Sequence, residues 1–70
     1  MNKNDRNATT FDLREEVHTL AEAAFHNHLI SGHGDGEYDN EYQIVHDGKP
    51  RHMLLADARS FLNALLEQST

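Results

Sequence analysis

Six histidines stand among seventy residues, and histidine is the side chain most often used to hold a metal ion or move a proton near neutral pH. They are His18, His26, His28, His33, His46 and His52. Zinc sites on a helix commonly pair two histidines separated by three residues and bring a third ligand from elsewhere. No two of these histidines have that spacing. His26 and His28 lie two apart, about 200° around a helix, so regular helical geometry keeps them from sharing one ion. A zinc or nickel site built from His33, His46 and a carboxylate of the stretch between them is chemically conceivable. His28 would project near the middle of an apolar helix face, as a ligand, a pH-sensitive contact or a histidine bonded to a nearby carbonyl.

Asp35, Glu37, Asp39 and Glu41 alternate along the chain and invite comparison with a calcium loop, whose ligands occupy the first, third, fifth and twelfth positions. Counted from Asp35, the sixth position should be glycine and is Asn40, and the twelfth should be glutamate and is His46. The pattern therefore reads as a solvated acidic loop that could meet a basic partner. Ser31, His33 and Asp35 supply the residue types of a hydrolytic triad, but triads are recognised by geometry rather than adjacency. A chain this short is expected to have little room for a pocket of ~300 Å³ or more. Gly32, Gly34 and Gly36 follow a predicted helix, whereas phosphate-binding glycine loops follow a strand and open a helix. The expectation is no catalytic residue, no metal ligand and no cofactor.

The elements that would carry these residues begin with the C-terminal helix. Ala58, Phe61, Leu62, Leu65 and Leu66 recur at helical spacing, predicting a helix over residues 56–68 with one apolar stripe. Before it, Tyr42–His46 and Lys49–Met53 flank Asp47-Gly48, a strong hairpin signal because a type I′ turn needs positive φ at both central residues. A two-residue turn pairs His46 with Lys49, Ile44 with Arg51 and Tyr42 with Met53, and the face carrying Tyr42, Ile44 and Met53 is expected to be buried. Pro50 confines the second strand to an edge. The first helix is expected from about Thr10 to His28 or Ile30, capped by Asp12 with Glu15 or by Thr9, with Leu13, Val17, Leu20, Ala21 and Ala24 on its buried face. Gly32 would stop it. Residues 31–41 read as a loop. Residues 1–8 read as a disordered polar tail and 9–70 as one domain.

The expected fold is therefore α+β, a helix–loop–hairpin–helix (αββα) with both helices on one face of a two-stranded antiparallel sheet. Such a sheet needs support, and a chain of this length buries only about 60% of its unfolded surface. There is no cysteine to staple it. Dimerisation through Phe61, Leu62, Leu65 and Leu66 would complete the core, or the same stripe would meet a protein partner.

Twelve acidic residues against six Lys and Arg give a net charge of −6, which disfavours nucleic-acid and anionic membrane surfaces. No apolar run approaches the ~20 residues that span a bilayer, and the N-terminus lacks a signal-peptide core. The expectation is a small, acidic, cytoplasmic, non-enzymatic binding or regulatory protein working through protein–protein contact, as a homodimer. The alternatives are a nucleic-acid regulator with a winged-helix-like hairpin carrying Lys49, Arg51 and His52, an acidic nucleic-acid mimic, and a His/carboxylate metal-binding protein.

Overall fold

The computed structural model describes the backbone of residues 5–69 and the side chains of residues 12–69. Its elements are α1 (Asp5–His26), β1 (Gly32–Asp35), β2 (Glu41–His46), β3 (Lys49–Leu54) and α2 (Leu55–Gln68). The three strands form one antiparallel meander in the order β1-β2-β3. The fold is α+β, as expected, but the sheet has a third strand.

That strand comes from the segment read as a loop. Gly32 pairs with Val45, His33 with Ile44, Gly34 with Gln43 and Asp35 with Tyr42. Gly-His-Gly-Asp is a period-two pattern in which one face carries side chains and the other carries none. Glycine is depleted in strands, so composition hides the alternation. Residues 36–40 turn the chain back, with the Gly36 amide donating to the Glu41 carbonyl at 3.1 Å and the Glu41 amide to the Tyr38 carbonyl at 3.0 Å. A Cβ at Gly36 would stand 2.8 Å from the Glu41 Cβ, so only glycine fits there.

The β2–β3 hairpin keeps the expected register, including Tyr42 with Met53 and Ile44 with Arg51. Asp47 and Gly48 have φ of 55° and 76°, both in the region a type I′ turn requires. Pro50 lies on the edge strand. α2 starts without a side-chain cap, and the Asn40 carbonyl accepts from its Leu55 amide at 2.9 Å. The β1–β2 turn thus satisfies one of the unpaired amides that open a helix.

α1 differs from expectation at both ends. It already includes Asp5, so Thr9, Asp12 and Glu15 lie along the helix rather than at its start; no Gly or Pro precedes Gly32 to stop it extending. Of the expected polar tail, residues 1–4 lie outside the described residues. At the other end the helix closes at His26, well before Gly32. His28 adopts φ 63°, its amide donates to the Phe25 carbonyl at 3.0 Å, and the Leu29 amide donates to the Ala24 carbonyl at 2.8 Å. This is a Schellman ending with histidine where glycine is usual.

Both helices cover the same face of the sheet. Val17, Ala21 and Ala24 of α1 meet Leu55, Ala58 and Leu62 of α2 above Tyr42 and Ile44, with Ile30 closing one side. Met53 packs against this core from its rim. The small alanines let the two helices approach closely. These core residues form one buried cluster within the chain. Arg59 of α2 reaches Glu16 of α1 at 3.3 Å, and Arg14 of α1 reaches Asp35 at 3.2 Å and also donates to the Asp39 carbonyl. Among the described residues no helix is long and apolar enough to cross a membrane.

Two substitutions test this account. Leu62→Ala should lower stability by about 2–5 kcal/mol through the cavity it leaves. His28→Gly should raise it by about 1 kcal/mol by relieving the left-handed residue. Urea unfolding monitored by circular dichroism measures both.

Candidate functional site

Four residues apart on a helix are neighbours on one face. His18, Glu22 and His26 are spaced at four and again at four, so α1 presents them as a row. β1 runs beneath the middle of this row. His33 rises from the inner face of β1 and is 10% exposed. Its Nε2 lies 3.0 Å from Glu22 Oε2, while His18 Nε2 lies 4.0 Å from the same oxygen and His26 Nε2 lies 3.4 Å from Oε1. Phe25 places its ring edge-on to His33 at 5.9 Å.

Below the carboxylate sits Tyr42, fully buried in the central strand. Its hydroxyl lies 2.8 Å from His33 Nδ1 and 3.2 Å from His18 Nδ1. A phenol has one proton to donate and two lone pairs to accept with. The network closes when Tyr42 donates to His33 Nδ1, His33 Nε2–H donates to Glu22, and His18 Nδ1–H donates to the phenol oxygen. This assignment follows from satisfying each group. Tyr42 holds both rings by Nδ1 and so turns both Nε2 atoms toward Glu22.

His18, Glu22 and His33 each offer one ligand atom, all within 4.8 Å of one another. Ligands at about 2.1 Å in a tetrahedral site stand roughly 3.4 Å apart. The His33–Glu22 separation is slightly shorter than that and the His18–Glu22 separation slightly longer. His18 is more than half exposed and free to close the gap. Ligation through both Nε2 atoms needs a hydrogen on both Nδ1 atoms, and the phenol oxygen can accept both. The cost falls on the phenol hydrogen, which then has no ring nitrogen to bond.

The residues singled out from the sequence are dispersed. His46 lies at the other end of β2, its ring edge-on to Phe61 at 5.3 Å, and its buried Nδ1 makes no hydrogen bond. It does not join His33 in a ligand group. His28 turns the chain, and His52 is exposed on β3. Asp35 pairs with Arg14, Glu37 and Asp39 are exposed in the turn, and Glu41 opens β2. Leu62 is wholly inside the core, whereas Phe61, Leu65 and Leu66 are partly buried at its rim. Of the basic hairpin residues, Arg51 stacks over Phe61 at 5.8 Å.

Histidine spacing alone does not reveal this cluster, because its middle ligand is a glutamate and its third comes from a strand. The row of His18, Glu22 and His26 was the available signal. The expectation about pocket space is also corrected. An open cleft of about 450 Å³ lies between the end of α1 and the β2–β3 turn, lined by Phe25, His26, Ile30 and Asp47 among others.

The Tyr42 hydroxyl is pushed up to about 12, first by burial and then by the Asp35 and Glu22 carboxylates, with Arg14 opposing. A raised acid favours the folded state while it stays protonated. Its contribution is complete below the ordinary value of about 10 and is lost as pH rises through about 12. In a Tyr38→Phe background, absorbance at 295 nm should show Tyr42 ionising near pH 12, with unfolding alongside. Ionisation complete by pH 10.5 would contradict this environment.

No protein-family model matches the chain, and neither does any curated protein or solved structure.

Proposed function

We propose that this chain is a small, non-enzymatic binding protein that takes one divalent transition-metal ion at His18, Glu22 and His33. The observation that carries this reading is the buried Tyr42 hydroxyl, which orients two imidazoles from different elements onto one carboxylate oxygen. Metal-ligating histidines characteristically give their other ring N–H to an outer acceptor such as a carboxylate or carbonyl, and here the phenol oxygen would take that role. Two imidazoles and a carboxylate suit zinc, nickel, cobalt or ferrous iron rather than magnesium or calcium, which prefer all-oxygen sites. His26 would steady the second carboxylate oxygen. Three protein ligands leave a coordination position for water or for a donor from another molecule.

Calorimetric titration of the full chain with zinc chloride should give one saturable site. His18→Ala should weaken it at least tenfold while leaving the fold intact, since that side chain is largely in water. A wild-type titration with no saturable heat would remove the reading.

A second reading keeps the expectation of protein contact in a cytoplasmic setting, including contact with another copy. It is supported by the partly exposed row of Phe61, Leu65 and Leu66 along the rim of α2 and by a net charge of −6, which opposes phosphate backbones. Sedimentation velocity across a dilution series should show a dimer that Leu65→Asp dissociates. A monomer at every concentration would exclude self-association and leave the rim to a different protein.

A further inference from the structure

β1 is built unlike its neighbours. Its four residues include no apolar side chain. Two are glycines on the outer face, and nothing comes within 4 Å of where a Cβ at Gly34 would stand. The strand lies at the edge of the sheet and pairs only with β2. On the inner face it offers Asp35 and His33. Asp35 meets Arg14 at 3.2 Å with its own side chain 69% exposed, so water screens the strand's half of the pair. Among the side chains of β1 the one seated inward is therefore His33, and its partners are polar, Glu22 at 3.0 Å and Tyr42 at 2.8 Å; in the turn that follows, Arg14 and the Leu55 amide hold the Asp39 and Asn40 carbonyls.

The segments on either side are fastened differently. Ile30 is buried just before the strand, and Glu41 begins the hairpin that carries Tyr42 and Ile44. β3 is held by a type I′ turn, by Met53 against the core and by Arg51 over Phe61. Local opening proceeds where buried apolar contacts are few, and among the described residues the span between Ile30 and Glu41 contributes none to the core.

We infer that the metal ion fastens β1: an ion shared by His33 of the strand and His18 and Glu22 of α1 ties the edge strand to the helix, and without it β1 opens locally while the β2–β3 hairpin stays paired. This rests on the metal-binding reading above. An ion that binds the closed form and not the open one stabilises the closed form by mass action, so opening falls about a hundredfold at free ion one hundred times the dissociation constant.

Amide hydrogen exchange of the full chain, with and without zinc chloride, tests this beside the calorimetric titration. The reporters are Ser31, whose amide donates to the Val45 carbonyl, and Gly36, whose amide donates to the Glu41 carbonyl. Residues 49–54 provide the control. With zinc, exchange at Ser31 and Gly36 should slow by up to about a hundredfold, with little change in residues 49–54. His18→Ala, which changes no residue of β1, should lose tenfold or more of that protection at the same free zinc. If zinc binds by calorimetry but Ser31 and Gly36 are unchanged, or all amides slow alike, the inference is overturned and the metal site stands. If zinc does not bind, the site itself fails and takes the inference with it.

Discussion

A buried phenol hydroxyl must find a hydrogen-bond partner or cost the fold stability. Tyr42 sits in the central strand with no exposed surface, so the molecule has to bring polar groups to it. Those groups arrive from above and beside, as His18 on α1 and His33 on β1. Once both rings are committed to the phenol oxygen, their outer nitrogens converge on Glu22. The polar cluster is thus a consequence of placing a tyrosine rather than a phenylalanine at the centre of the sheet. It also sets the angle between α1 and β1, because the two elements share few apolar contacts at that place.

The remaining core is thin and divided by task. Alanines on facing helices permit close approach, and the larger side chains of Ile44, Leu62 and Val17 fill the volume beneath. Without a disulfide, a chain of this size often depends on some additional tie. Here the ties among described residues are polar and lie at the periphery, in Arg14 to Asp35 and Asp39, Arg59 to Glu16, and the histidine cluster. The β1–β2 turn supports α2 through the Asn40 carbonyl, so the edge strand and the second helix are mechanically connected.

Strong local signals made most of this architecture legible in the sequence. Asp47-Gly48 specifies its turn through backbone sterics alone, and the hairpin register follows from it. The stripe from Ala58 to Leu66 specifies α2. β1 escaped because its strand character lies in the absence of side chains at alternate positions, which hydrophobic patterning does not register. The end of α1 escaped because histidine occupies a position where glycine is the usual marker. The site escaped for a longer-range reason: His18 and Glu22 become ligands only in combination with His33 and Tyr42, and that combination depends on a strand not visible in composition. Leu62 shows the reverse case, a residue whose apolar spacing is equally compatible with an interior and an interface until the third strand and α1 are in place.

Pro50 has a consequence that concerns neither folding nor binding. A sheet of three strands has two free borders, and each is a template on which another chain could add a strand. Along β3 the proline removes a backbone donor, so a continuous intermolecular ladder cannot grow from that border. Along β1 the border is only four residues long and half glycine, a poor surface for propagation. The two borders are thus defended by different chemistry, one permanent and one dependent on how firmly β1 is seated. In a crowded solution the second is where fibrillar growth would have to start.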